Sequence, residues 1–80
     1  MKIEVLFFGI AADLANRSQL EITVEKGTTV FNCKRLLQKK YPSLENIDTY
    51  AIAVNETYSD NNLVIQENDV IAIIPPVSGG

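Results

Sequence analysis

Helical periodicity is confined to one stretch of this chain, and on both sides of it the residues alternate as strands do. Val30, Cys33, Leu37 and Tyr41 fall on one stripe at helical spacing, widened by Leu36. Lys34, Arg35, Gln38 and Lys39 take much of the remaining circumference, as a solvated face, with basic residues toward the C-terminal half where they suit the helix dipole. Thr28 and Thr29 are candidate N-caps for a helix from about Val30 to Tyr41, and Pro42 stops it. A single helix covers only one side of a sheet, so the other side must be accounted for separately.

Upstream, Ile3, Val5 and Phe7 lie on one face of a strand, while Leu6 and Phe8 point the other way before Gly9 breaks the run. Ala11 to Arg17 reads as a loop or a short helical turn. Leu20 to Val24 alternates cleanly and reads as a half-buried strand, followed by a turn at Lys26-Gly27. Downstream, Tyr50 to Val54 is a third strand, Asn55-Glu56 a turn, and Thr57-Tyr58 a short return strand. A polar loop, Ser59 to Asn62, precedes the brief apolar stretch Leu63 to Ile65. Asn68 is suited to a left-handed turn position. Val70 to Ile74 is apolar on both faces, as an interior strand would be.

The order is ββαββ. A right-handed crossover sets the last strand parallel to the first and beside it. The expected fold is α+β: a β-grasp, ubiquitin-like mixed sheet with one main helix packed on one face. Residues 1–74 are expected to form this domain and residues 75–80 a flexible C-terminal tail. On the last strand, Ile71 and Ile73 would point inward, Ala72 and Ile74 outward. Leu6, Phe8, Tyr58 and Ile74 would then form an apolar patch on the uncovered face, and such a patch marks a binding surface.

Composition narrows the function. Eighty residues, 46% apolar and 21% charged, support one small core. A net charge of −3 argues against a nucleic-acid backbone as partner. No apolar run is long enough to span a bilayer, and the N-terminus lacks the pattern of a signal peptide. One cysteine makes no internal disulfide, which fits a reducing cytoplasm. With no histidine, Ser-His-Asp and Cys-His nucleophile systems are excluded, and a zinc site is not expected. Cys33, on the apolar stripe, reads as a small core residue. The acidic residues are dispersed and form no acid/base pair.

The C-terminal sequence is the most specific signal. Pro75 and Pro76 hold the chain extended as it leaves the last strand, Val77 and Ser78 follow, and Gly79-Gly80 puts a main-chain carboxylate on a thread able to enter a narrow slot. Fully extended, Pro75 to Gly80 reaches roughly 20 Å. Glycines leave the terminal carbonyl unshielded.

The run from Asn68-Asp69 through Val70 to Ile74 and on to Pro75-Pro76-Val77-Ser78-Gly79-Gly80 resembles the small subunits of molybdopterin synthase. Val5-Leu6-Phe7-Phe8, Tyr41-Pro42 and Ala53-Val54-Asn55 are similar to that family too, so the resemblance covers essentially the whole chain. It implies a sulfur carrier of molybdenum cofactor biosynthesis. An E1-like adenylyltransferase and sulfurylase, consuming ATP, would convert the Gly80 carboxylate to a thiocarboxylate. No cofactor would be bound directly by the carrier. The large synthase subunit would bind the tail, supply the catalytic residues, and take sulfur for cyclic pyranopterin monophosphate within a heterotetramer. The family's docking positions fall on Phe8, Tyr58 and Ile74. Two departures stand out: Ala12-Asp13-Leu14 where relatives often carry Arg before Glu-Leu, and Asn68 where they often carry Gly. The alternatives are a sulfur carrier for thiamine synthesis or tRNA thiolation, and a ubiquitin-like modifier or interaction module.

Overall fold

The computed structural model describes residues 1–76; what was expected of Val77, Ser78, Gly79 and Gly80 lies outside the described residues. The alternation in the N-terminal segment becomes strand β1 (Lys2–Phe7), which buries Ile3, Val5 and Phe7. Strand β2 (Gln19–Thr23) runs antiparallel to it, with Ile3 opposite Ile22 and Val5 opposite Leu20. Between them is helix α1 (Ile10–Ala15), so the open choice between loop and helical turn resolves as a short helix. Asn16, left-handed at φ 57°, ends it by donating its main-chain N–H to the carbonyls of Ala12 and Asp13.

Helix α2 (Val30–Lys40) starts where its cap dictates. The Asn32 main-chain N–H donates to the Thr29 hydroxyl at 3.2 Å, and the Thr29 N–H donates back to Asn32 Oδ1 at 3.4 Å. Tyr41 closes the other end through its N–H to the Leu37 carbonyl, one residue before Pro42. A 3-10 turn over Ile47–Thr49, unexpected from sequence, then plugs Ile47 into the core.

Strands β3 (Ala51–Val54), β4 (Thr57–Tyr58) and β5 (Val70–Ile74) complete the sheet. Asn55 (φ 50°) and Glu56 (φ 72°) form the two-residue hairpin turn, both left-handed, which matches the twist of the paired strands. Asn68, at φ 69°, takes the left-handed position expected of it. The strand order is β2-β1-β5-β3-β4, with β5 parallel to β1 and the other pairs antiparallel. This is the expected β-grasp. Ile3, Val5, Phe7, Ile71 and Ile73 meet Val30, Cys33 and Leu37 of α2 in one core, and Phe7 packs edge-on to Tyr41 with ring centroids 5.8 Å apart.

Two helix residues depart from expectation. Leu36 does not widen the buried stripe and is 47% exposed, whereas Lys34, expected on the solvated face, is only 5% exposed. Val30, Cys33, Lys34 and Leu37 follow the i, i+3, i+4, i+7 rule, so helix geometry places Lys34 inward whatever its chemistry. Its ammonium finds a partner there, donating to Asn61 Oδ1 at 2.8 Å and lying 3.9 Å from Asp48 Oδ1.

Candidate functional site

The sheet's second face is built by the same alternation. The strand registers set Gln19, Leu6, Ala72, Ala53 and Tyr58 in one row across all five strands. Ile74 stands opposite Ala51 in the next row, on the side toward the end of β5. Phe8 belongs to that end too, because its main-chain N–H donates to the Ile73 carbonyl at 3.1 Å, one step beyond the last paired residues of β1. Phe8 is 47% exposed and Tyr58 73%; Leu6 and Ile74 are half-buried. Alanines at 51, 53 and 72 keep the middle of this face low, so the larger side chains rise around a shallow apolar floor. At the opposite end the face carries Glu4 and Glu21, which are paired in register. The apolar character is therefore concentrated where the chain leaves β5.

The root of the tail is held from beneath. Extending the parallel register of Phe7 with Ile73 by two residues brings Gly9 beside Pro75. A Cβ on Gly9 would lie 3.3 Å from Pro75 Cγ, and Gly9 has φ 52°. Both the close approach and the left-handed backbone require glycine. The neighbouring backbone is fixed as well: Ala11 and Ala12 donate their N–H groups to the carbonyls of Phe8 and Gly9 at 3.0 and 3.1 Å. Sequence reading treated Gly9 only as a strand breaker. No local sequence signal marks its second role, because being level with Pro75 follows from the parallel register of β1 with β5.

The other end of β5 is pinned by side-chain amides and carboxylates. Val70 donates its N–H to Asn55 Oδ1 at 2.9 Å, and Asn55 Nδ2 donates to Asp69 Oδ1 at 2.8 Å. The strand that carries the tail is thus braced at both ends and paired on both sides. Cys33 is no part of this face. It is 1% exposed, and burial pushes its thiol up from 9.0 to about 11, so little thiolate forms near neutral pH. Among the described residues no cluster of three His, Cys, Asp or Glu side chains could hold a metal ion, and no helix is long and apolar enough to cross a membrane.

The ThiS family profile matches residues 5–80. The chain belongs to the ThiS family. Among the curated relatives of this ThiS-family chain, the molybdopterin synthase sulfur carrier subunit of Arabidopsis thaliana is 37% identical over 81 residues, covering 100% of this chain and 84% of that protein. Among solved structures, subunits 1 and 2 of the molybdopterin-converting factor of Helicobacter pylori were determined as a protein–protein complex; the matching chain is 31% identical, with a TM-score of 0.72 and full coverage of both chains. The crystal structure of SAMP1 from Haloferax volcanii superposes with a TM-score of 0.90 over the whole of both chains, at 24% identity, a likeness of fold alone. The full-length match to curated sulfur carriers agrees with the resemblance carried by the tail sequence.

Proposed function

We propose that this chain is the sulfur-donating subunit of a molybdopterin synthase, with the Gly80 carboxylate as the working group and Gly79 as its flexible neighbour. The observation that carries this reading is the full-length similarity to molybdopterin synthase sulfur carrier subunits, 37% identical in the plant protein. The geometry is consistent with it. An apolar face with a shallow floor lies beside a braced strand whose next residues are Pro75 and Pro76. In this reading Phe8, Leu6, Tyr58 and Ile74 dock on the large subunit, while Pro75, Pro76, Val77 and Ser78 lead the terminus into its pocket. Residues 1–74 are the delivery body and 75–80 the arm.

The chemistry explains the division of labour. A carboxylate is a poor electrophile. Transfer of AMP from ATP, with loss of pyrophosphate, turns it into an acyl adenylate with a good leaving group. A sulfur nucleophile then displaces AMP at the carbonyl carbon, and the resulting thiocarboxylate carries a soft, nucleophilic sulfur. An E1-like activating enzyme performs these steps, and the large subunit supplies the acid, base and phosphate-binding groups for transfer to cyclic pyranopterin monophosphate. Such a cycle belongs in the cytoplasm, where Cys33 stays reduced.

The test is the intact mass of the chain after incubation with ATP, the activating enzyme and a sulfur donor. One oxygen-to-sulfur exchange localised to Gly80 is expected. Isopeptide conjugates to lysines with no such exchange would indicate a modifier instead and overturn the proposal.

A further inference from the structure

Strand β2 forms an edge of the sheet. Among the described residues it pairs with β1 alone and ends the sheet. Val24 donates its N–H to Met1 at 2.8 Å, and Phe7 donates to Ser18 at 2.9 Å. These bonds fix which residues turn inward, and the antiparallel alternation then directs the main-chain N–H and C=O of Gln19, Glu21 and Thr23 outward. An exposed edge of this kind is a template for one more strand.

Beside the edge runs a groove between β2 and α2. It consists of two clefts that share Thr23, Leu36 and Lys39, the larger of about 580 Å³. Its floor is apolar: half-buried Ile22, buried Leu37 and the exposed Leu36 that the core does not use. Its rim is basic. Lys26, Arg35, Lys39 and Lys40 line it, four of the seven cations of a chain whose net charge is −3. Arg35 is bonded to Asp48, whereas Lys26, Lys39 and Lys40 form no ion pair with a described residue. Two carboxylates also line the groove, Glu25 and Glu21; the Glu21 carboxylate lies 3.9 Å from Lys2 Nζ.

We propose that this groove binds an extended peptide segment of a partner protein as an added strand on β2, with apolar side chains at alternate positions on the floor and an acidic flank against Lys26, Lys39 and Lys40. The edge supplies main-chain hydrogen bonds, the floor selects the alternating apolar residues, and the charge pattern selects the flank. The open apolar face that begins at Leu6 and Phe8 lies on the other side of the sheet, so the groove is independent of the docking proposed above.

The experiment is an NMR titration of the isotope-labelled full chain with a synthetic peptide, a short valine-isoleucine run followed by a run of aspartates. Saturable shifts are expected at residues 19–23, Leu36 and Lys39, with slowed amide exchange at Gln19, Glu21 and Thr23. Combining Lys39→Glu with Lys40→Glu should weaken binding by about tenfold or more. Leu36→Ser, at an exposed position, should weaken it without altering the rest of the spectrum. Shifts confined to Leu6, Phe8 and Tyr58, or no saturation by about 1 mM peptide, would overturn the proposal. So would unchanged affinity in the charge-reversed variant. A free chain that sediments as a dimer with those three amides already protected would assign the edge to a second copy and equally overturn it.

Discussion

The two faces of the sheet use the same strands and are both apolar where β1 and β5 end, yet among the described residues only one is closed. Ile3, Val5, Phe7, Ile71 and Ile73 are sealed beneath α2, while their immediate neighbours Leu6, Phe8 and Ile74 form a surface that no helix or strand among the described residues covers. Burial beneath the helix gives the domain its stability, since apolar area removed from water contributes roughly 25 cal/mol per Å². The uncovered face forgoes that gain. In the function proposed above, its apolar residues close against the large subunit, whereas those beneath α2 need no partner.

That contrast breaks most directly in the core. Ile73→Ala should destabilise the domain by about 2–5 kcal/mol, because it opens a cavity among fully packed neighbours. Denaturant unfolding measures this, and a loss below about 1 kcal/mol would mean the helix-side face is not closed as described. Cys33 sharpens the same point through pH. Its thiol is raised in the folded state, so it is the unfolded chain that ionises first. The stabilisation from the neutral buried thiol is complete below pH 9 and is lost as pH rises from 9 through about 11. The total loss should be about 1–3 kcal/mol. Comparing the pH slopes of unfolding for the native chain and Cys33→Ala checks this; equal slopes would contradict the assigned burial.

Gly9→Ala probes the junction between the faces. The strained φ and the crowding against Pro75 should cost about 1–2 kcal/mol, and shifts in the Pro75 resonances should accompany the loss. Phe8→Asp should have the smallest effect on the isolated chain, within about 0.5 kcal/mol, while weakening calorimetric binding to the large subunit. A large stability loss from Phe8→Asp would place that ring in the core; unchanged affinity would remove it from the docking face.

The two faces were legible in the sequence because strand alternation is a local property. Ile3, Val5 and Phe7 against Leu6 and Phe8, and Ile71 and Ile73 against Ala72 and Ile74, divide as the two-residue period requires. The cap at Thr29 and the left-handed Asn68 were legible for the same reason. Lys34 was not. Its spacing pointed inward and its charge outward, and the partner that settles the conflict, Asn61, lies 27 residues away. The 3-10 turn at Ile47–Thr49 is too short to leave a periodic trace. The pairing of Gly9 with Pro75 depends on the parallel register of β1 with β5, which exists only once the sheet has formed.

The central claim is that the compact body docks and Gly80 performs the transfer. It is tested by giving the large subunit a thiolation-treated chain that lacks Gly80 and measuring conversion of cyclic pyranopterin monophosphate. The account predicts binding comparable to the native chain and no conversion. Conversion at the native rate would contradict it.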